Sequence, residues 1–190
     1  MKKVLKGNIG YIRYKKTSQL LKSLLGIAII VALVFIGIKL HGNRNNVITV
    51  IAAVTAIPTG KALVGFFMFI KYKSLDKSRA DELSKLAGSL LPIYELVLST
   101  KEKAFHADVA FINLENIIIC SDSDIKDTTK LEKEIEKFLK VEDIKINVKI
   151  FTDEKLFEKR IASISSKDTY TDKDKEQMIT IANKLLILNI

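Results

Sequence analysis

Two apolar runs separated by a short polar stretch dominate the first seventy residues. Ser23 to Ile38 holds sixteen residues without a charge, bracketed by Lys22 and Lys39. Val47 to Ile70 holds twenty-four residues with a single charge, Lys61. Between them lies His41-Gly42-Asn43-Arg44-Asn45-Asn46. A helix rises 1.5 Å per residue and a bilayer's hydrocarbon core is about 30 Å thick, so both runs are long enough to cross once lysine stems snorkel at the ends of the first. The pattern predicts an antiparallel transmembrane hairpin over 20–70, with spans at about 20–40 and 47–70.

Beyond Ile70 the periodicity changes. Leu83, Leu86, Ala87 and Leu90 fall at helical spacing and predict a helix from Ser78 to about Leu91, ended by Pro92. Ile93 to Ser99 is rich in β-formers. Ala104 to Ile112 sets Phe105, Ala107, Val109 and Phe111 against His106 and Asp108, and Ile117 to Cys120 is a short apolar run. Together they predict a three-stranded meander. Thr129-Lys130-Leu131-Glu132 matches a capping box ahead of Leu131, Ile135, Phe138 and Leu139. Ile144 to Phe151 alternates as a strand with one wet face. Two further helices follow, one capped by Asp153 and carrying Leu156, Phe157, Ile161 and Ile164, the other opening at Thr171 and carrying Met178, Ile181, Ala182, Leu185 and Leu188. The apolar C-terminal end, Leu185 to Ile190, reads as buried in the core or docked on a partner or the membrane. The fold class is therefore α/β of the α+β kind: a membrane hairpin, then one domain of helix, meander, helix, strand and two helices. The boundaries are 1–19 as a basic segment, 20–70 as the hairpin and 71–190 as the domain, whose 120 residues suffice for one core.

Small residues refine the hairpin. Ala28 and Ala32 in the first span, and Ala52, Ala56 and Gly60 in the second, repeat every four residues and let backbones approach closely. They predict the face on which the spans pack, or alternatively a homodimer face. Pro58-Thr59-Gly60-Lys61 interrupts the second span: Pro58 removes a backbone hydrogen bond to Val54, and Gly60 loosens the helix further. Lys61 stands nine residues before Ile70, about 14 Å of helix, where a charge costs on the order of 3 kcal/mol. Three environments satisfy it: snorkelling to the cytosolic face, bonding to carbonyls and to Thr55 or Thr59 beside Pro58, or pairing with an acid on another protein's helix. Lys61, Pro58 and Gly60 are thus the candidate functional residues of the membrane part. Gly60-Lys61 is not a phosphate loop, since Thr55 and Ala62 replace the required Gly and Ser or Thr.

Charge changes the picture next. The net charge of +9 would suit nucleic acid, but Met1 to Lys22 carries seven basic residues and no acid, whereas Ala80 to Ile190 carries seventeen basic and twenty-one acidic residues. The positive charge belongs to the membrane flanks, so anionic headgroups are the expected partner and nucleic acid is not. Basic clusters at both outer ends of the hairpin predict cytoplasmic termini and a plasma-membrane location. The single cysteine, Cys120, excludes an intrachain disulfide and fits a reducing compartment.

Candidate chemistry is sparse. The α-β-β-β-α-β order resembles the core of the restriction-endonuclease-like nucleases, which implies an Asp on one strand and an acid-x-Lys on the next as a divalent-metal site. Asp108 with Asp124-Ile125-Lys126 comes nearest, although Asp124 follows the strand and Ala107 stands where that family has Pro. Asp108, Asp122, Asp124 and Asp127 are the metal candidates, with turn and helix-entry acids as the plainer account. A Cys120–His106 nucleophile and base is conceivable chemically, but Cys120 reads as core. At whole-chain level, Ile57-Pro58 followed by Lys61 and the cytosolic tail resemble uncharacterised two-span membrane proteins of low-GC Gram-positive bacteria, as does the preference for Lys (twenty-seven) over Arg (four); this implies no activity. The sequence thus predicts a non-catalytic, membrane-anchored binding or regulatory domain without a cofactor, acting with a membrane-protein partner or a second copy. A divalent-metal enzyme and an accessory subunit acting through its hairpin are the alternatives.

Overall fold

The computed structural model describes residues 3–42, 46–100, 104–121, 125, 127–165 and 170–190. The chain divides into two compact units, Ile12–Lys73 and a second built from Met1–Tyr11 with Ser74–Ile190. Residues 3–11 thus belong with the C-terminal domain.

The first unit is helical, with α1 at Tyr11–His41 and α2 at Val47–Ile70. Helix α1 starts nine residues before the expected span, because nothing between Gly10 (φ 85°) and Gly26 breaks it and its lysines are good helix formers. Asn46 caps α2, accepting from the Thr49 backbone N–H at 3.0 Å. The helix continues through Pro58, where Thr55 and Thr59 donate their hydroxyls to the carbonyls of Ile51 and Thr55, each at 2.8 Å. Both helices are long and apolar enough to cross a membrane, with windows of mean hydropathy 2.6 and 1.9 that are only 11% buried.

The second unit has three layers. Its elements are α3 (Lys77–Ala87), β1 (Leu91–Ser99), β2 (Ala104–Ile112), β3 (Asn116–Cys120), α4 (Thr128–Val141), β4 (Asn147–Phe151), α5 (Glu154–Ser165) and α6 (Asp172–Leu185). The sheet order is β1-β2-β3-β4: the first three strands form the antiparallel meander, and β4 lies parallel to β3 after the α4 crossover. Leu131, Ile135 and Leu139 of α4 and Met178, Ile181 and Leu185 of α6 cover one face. Ala80, Leu83 and Ala87 of α3 and Phe157 and Ile161 of α5 cover the other, where Phe157 meets Phe111 and Phe151 at ring-centroid distances of 6.1 and 6.3 Å. Each fully buried Leu, Ile or Phe contributes roughly 1.5–3 kcal/mol.

Three local expectations are corrected. Helix α3 ends earlier, at Gly88 (φ 57°), and Pro92 lies inside β1. Tyr94 directs its N–H away from β2, so the missing N–H of Pro92, two residues earlier, falls on the same outer edge and costs no ladder bond. Helix α4 is capped by Asp127, which accepts from Lys130 N–H at 3.0 Å, rather than by the Thr129–Glu132 box. Strand β4 starts at Asn147, leaving Ile144 in the connection.

Both sheet edges are closed. Along β1, Tyr94 donates to the Gly7 carbonyl at 2.9 Å and Ser99 to that of Leu188 at 2.9 Å, while Ile190 donates to Val97 at 3.1 Å. The C-terminal end therefore lies along β1. On β4, the N–H groups of Val148 and Ile150 donate to Glu136 and Glu132 of α4, each at 2.9 Å.

Candidate functional site

The most distinctive polar group of the domain is Glu95. It interrupts the apolar run from Ile93 to Leu98, is fully buried, and has φ 51°, a left-handed conformation that costs a β-carbon residue roughly 1–2 kcal/mol. Register pairs flank it, Tyr94 with Val109 and Leu96 with Ala107, leaving Glu95 at the level of Asp108. Here both strands change phase. Leu96, Leu98, Phe105 and Ala107 join the same core as Ile93, Ala110 and Ile112, although alternation would send the two sets to opposite faces.

The carboxylate explains the distortion. Its Oε1 accepts from the Gly10 N–H at 2.8 Å, from the Leu75 N–H at 3.1 Å and from the Ser74 hydroxyl. Gly10 is the residue before α1, and Ser74 and Leu75 follow the end of α2. One buried oxygen therefore holds the segment by which the chain enters the hairpin and the segment by which it leaves. Nearby, Tyr11 donates its hydroxyl to the Ile190 carbonyl at 3.1 Å, and the Lys6 ammonium donates to Asn189 O. Strand alternation alone marks Glu95 as an ordinary outward polar residue. The available signal was one acid amid five apolar neighbours.

Charged groups elsewhere support elements. Arg79 of α3 joins Glu82 at 3.0 Å, Glu154 of α5 at 2.6 Å and Glu158. These carboxylates, Glu158 foremost, push its pKa above the usual guanidinium range. Lys149 on β4 is held at 2.8 Å by Glu132, whose hydrogen bond and charge raise the ammonium pKa. Asp174 is lowered by the Thr171 hydroxyl and backbone N–H in the capping box of α6. An apolar groove of about 350 Å³ lies between α4 and the C-terminal end, lined by Phe138, Val141 and Leu188 with Ser99 and Glu134.

The sequence-derived candidates are scattered. Asp108 is 22% exposed on β2, with a carboxylate oxygen 3.9 Å from His106 Nδ1. Asp127 serves as the α4 cap. Asp122, Asp124 and Lys126 lie outside the described residues, among which no group of three or more potential metal ligands occurs. Cys120 pairs in register with Val109, three residues along β2 from His106.

In the hairpin, Ala52 is buried, whereas Ala28, Ala32 and Ala56 are exposed, which corrects the predicted packing face. The seam instead runs at heptad spacing through Ser23, Gly26, Ile30, Leu33 and Gly37 of α1, and through Ala52, Thr55, Thr59, Ala62, Phe66 and Phe69 of α2. A β-carbon on Gly26 would lie 2.2 Å from Thr59 Oγ1, so the closest approach depends on that glycine. At Gly60 the space is open. Pro58 and Lys61 are exposed on the outer surface of the pair.

The chain matches no known family model, no curated protein and no solved structure.

Proposed function

We propose that this chain is a plasma-membrane protein whose hairpin confines a non-catalytic α/β domain to the cytoplasmic surface, where the domain binds a membrane-associated partner or a second copy of itself as a scaffold or regulator. The observation that carries the reading is the Glu95 junction. The domain commits a buried carboxylate, in a strained strand, to the two crossings into the hairpin. Confinement to a surface raises the effective concentration of the domain for other membrane-bound proteins without any added contact. The groove beside Phe138 has the size of a small-ligand or side-chain pocket.

Topology is the direct test. A reporter fused after Ile190 is expected to be active only when it is of the kind that works in the cytoplasm; activity from a periplasm-dependent reporter would overturn the orientation and the reading with it. A second reading, a divalent-metal enzyme, is favoured by the strand order with Asp108 on the second strand of the meander. Full-length protein in detergent separates the two. Stabilisation by Mg²⁺ or Mn²⁺ that is lost on Asp108→Ala supports the enzyme, and indifference to both metals supports the scaffold.

A further inference from the structure

The seam contacts fix the register of the two membrane helices, and the register places Lys61. Gly26 faces Thr59, Gly65 faces Gln19, Gly37 faces Asn46, and the Lys15 ammonium lies over the Phe69 ring at 5.9 Å. In this antiparallel pair each residue forward along α1 is therefore matched by one residue back along α2. Counted from Gly26 opposite Thr59, Lys61 falls beside Leu24, within about two residues, or 3 Å, of the height of Lys22. The charge-free run Ser23 to Ile38 pairs with the first two-thirds of α2. The remainder, Ala62 to Ile70, runs beside Tyr14 to Ser23, where α1 carries Lys15, Lys16, Gln19 and Lys22.

The two apolar runs seen separately suggest a slab reaching Ile70 and a lysine deep within it. As a pair, they do not permit that. A slab including Ile70 would immerse the charges of Lys15, Lys16 and Lys22 in hydrocarbon and leave the apolar Val34 to Ile38 outside it. Ending the slab at Lys22 and Lys61 leaves roughly 25 Å of uncharged helix pair, which snorkelling stems at Lys22, Lys39 and Lys61 extend toward a full hydrocarbon core.

We propose that the helix ends beyond this level, 11–22 with 61–73, form a collar that binds the phosphate groups of anionic phospholipids, with Lys22 and Lys61 as its innermost cations. Arg13, Lys15, Lys16, Lys71 and Lys73 lie farther out, and no acid occurs in either segment. Val64 and Phe67, each 60% exposed, supply apolar surface between the cations at the height where acyl chains meet headgroups. The ligand class is a diacyl lipid carrying a net negative phosphodiester. The inference rests on the hairpin spanning the bilayer.

The chain contains no tryptophan, so a Phe67→Trp variant of the full chain carries a single clean probe. It would be reconstituted in phosphatidylcholine vesicles containing a minor fraction of brominated phosphatidylglycerol or, separately, brominated phosphatidylcholine. The phosphatidylglycerol is expected to quench the probe more strongly per mole. Lys61→Gln should reduce that preference by about fivefold, the contribution of one cation at an anionic surface, and Lys39→Gln, at the other end of α1, should leave it unchanged. Inorganic phosphate added to the variant in neutral detergent should not alter its fluorescence, which separates lipid from free phosphate. Equal quenching by the two lipids, or loss of preference in Lys39→Gln as readily as in Lys61→Gln, overturns the collar while leaving the membrane reading intact. Absence of quenching by either lipid overturns both.

Discussion

At the scale of single residues, Glu95 combines two costs that only its bonds offset: a left-handed backbone and a buried carboxylate. Glu95→Ala keeps the backbone penalty and leaves the Gly10 and Leu75 N–H groups without their acceptor, a loss of about 3–5 kcal/mol. Glu95→Gly loses the same bonds but relieves the φ penalty, and should be about 1 kcal/mol less damaging than alanine. Chemical denaturation of the full chain in detergent, followed by tyrosine near-ultraviolet signals, gives the order. Alanine equal to or milder than glycine would show that the left-handed conformation is not maintained in solution. The charge of Glu95 within an apolar run is plain in the sequence. Its partners, 85 and about 20 positions away, are not, because local pattern carries no information about which distant backbone group an acid will reach.

At the scale of elements, legibility followed the type of constraint. Strand β2 and the short run at β3 were placed closely because alternation and length are local properties, and α6 because Thr171 and Asp174 form a true capping box. Helix ends depart from the local pattern where a competing residue serves better: Asp127 over Thr129 as a cap, Gly88 over Pro92 as a stop. The hairpin seam departs from the alanine repeat for a related reason. A four-residue repeat of alanines is a valid packing motif, but Gly26 and Thr59 allow a closer approach along a different stripe. Glu132 is the most instructive case. Freed from capping, it turns to the outer edge of β4, and with Glu136 it occupies the N–H groups that another strand would use. Replacing both by alanine exposes those donors and removes the Lys149 ion pair. The double variant is expected to lose about 2–4 kcal/mol of stability and to self-associate with rising concentration. Sedimentation in detergent beside the wild type checks this, and a monodisperse, equally stable variant would show that the edge needs no cover.

At the scale of the whole molecule, the domain is assembled from two pieces of sequence that the hairpin separates. Residues 3–11 supply the Gly7 carbonyl to β1, the Lys6 and Tyr11 contacts to the C-terminal end and the Gly10 N–H to Glu95. A fragment beginning at Ser74 therefore lacks one side of its own sheet edge. The N–H groups of Gly10 and Leu75 are both within 3.1 Å of one oxygen, so the two crossing points are close enough for a linker of about four residues to join them. A chain in which a short Gly/Ser linker replaces 12–73 is expected to fold as a soluble domain. The fragment 74–190 alone should be less stable by several kcal/mol, since it forfeits the bond to Tyr94 and one of the donors to Glu95. Comparing denaturation midpoints of the two proteins decides the matter. Equal midpoints would mean that the N-terminal segment only lies on the domain. A large gap would mean that the fold closes only when residues 3–11 are joined to 74–190, which makes the segment ahead of the hairpin a structural part of the domain.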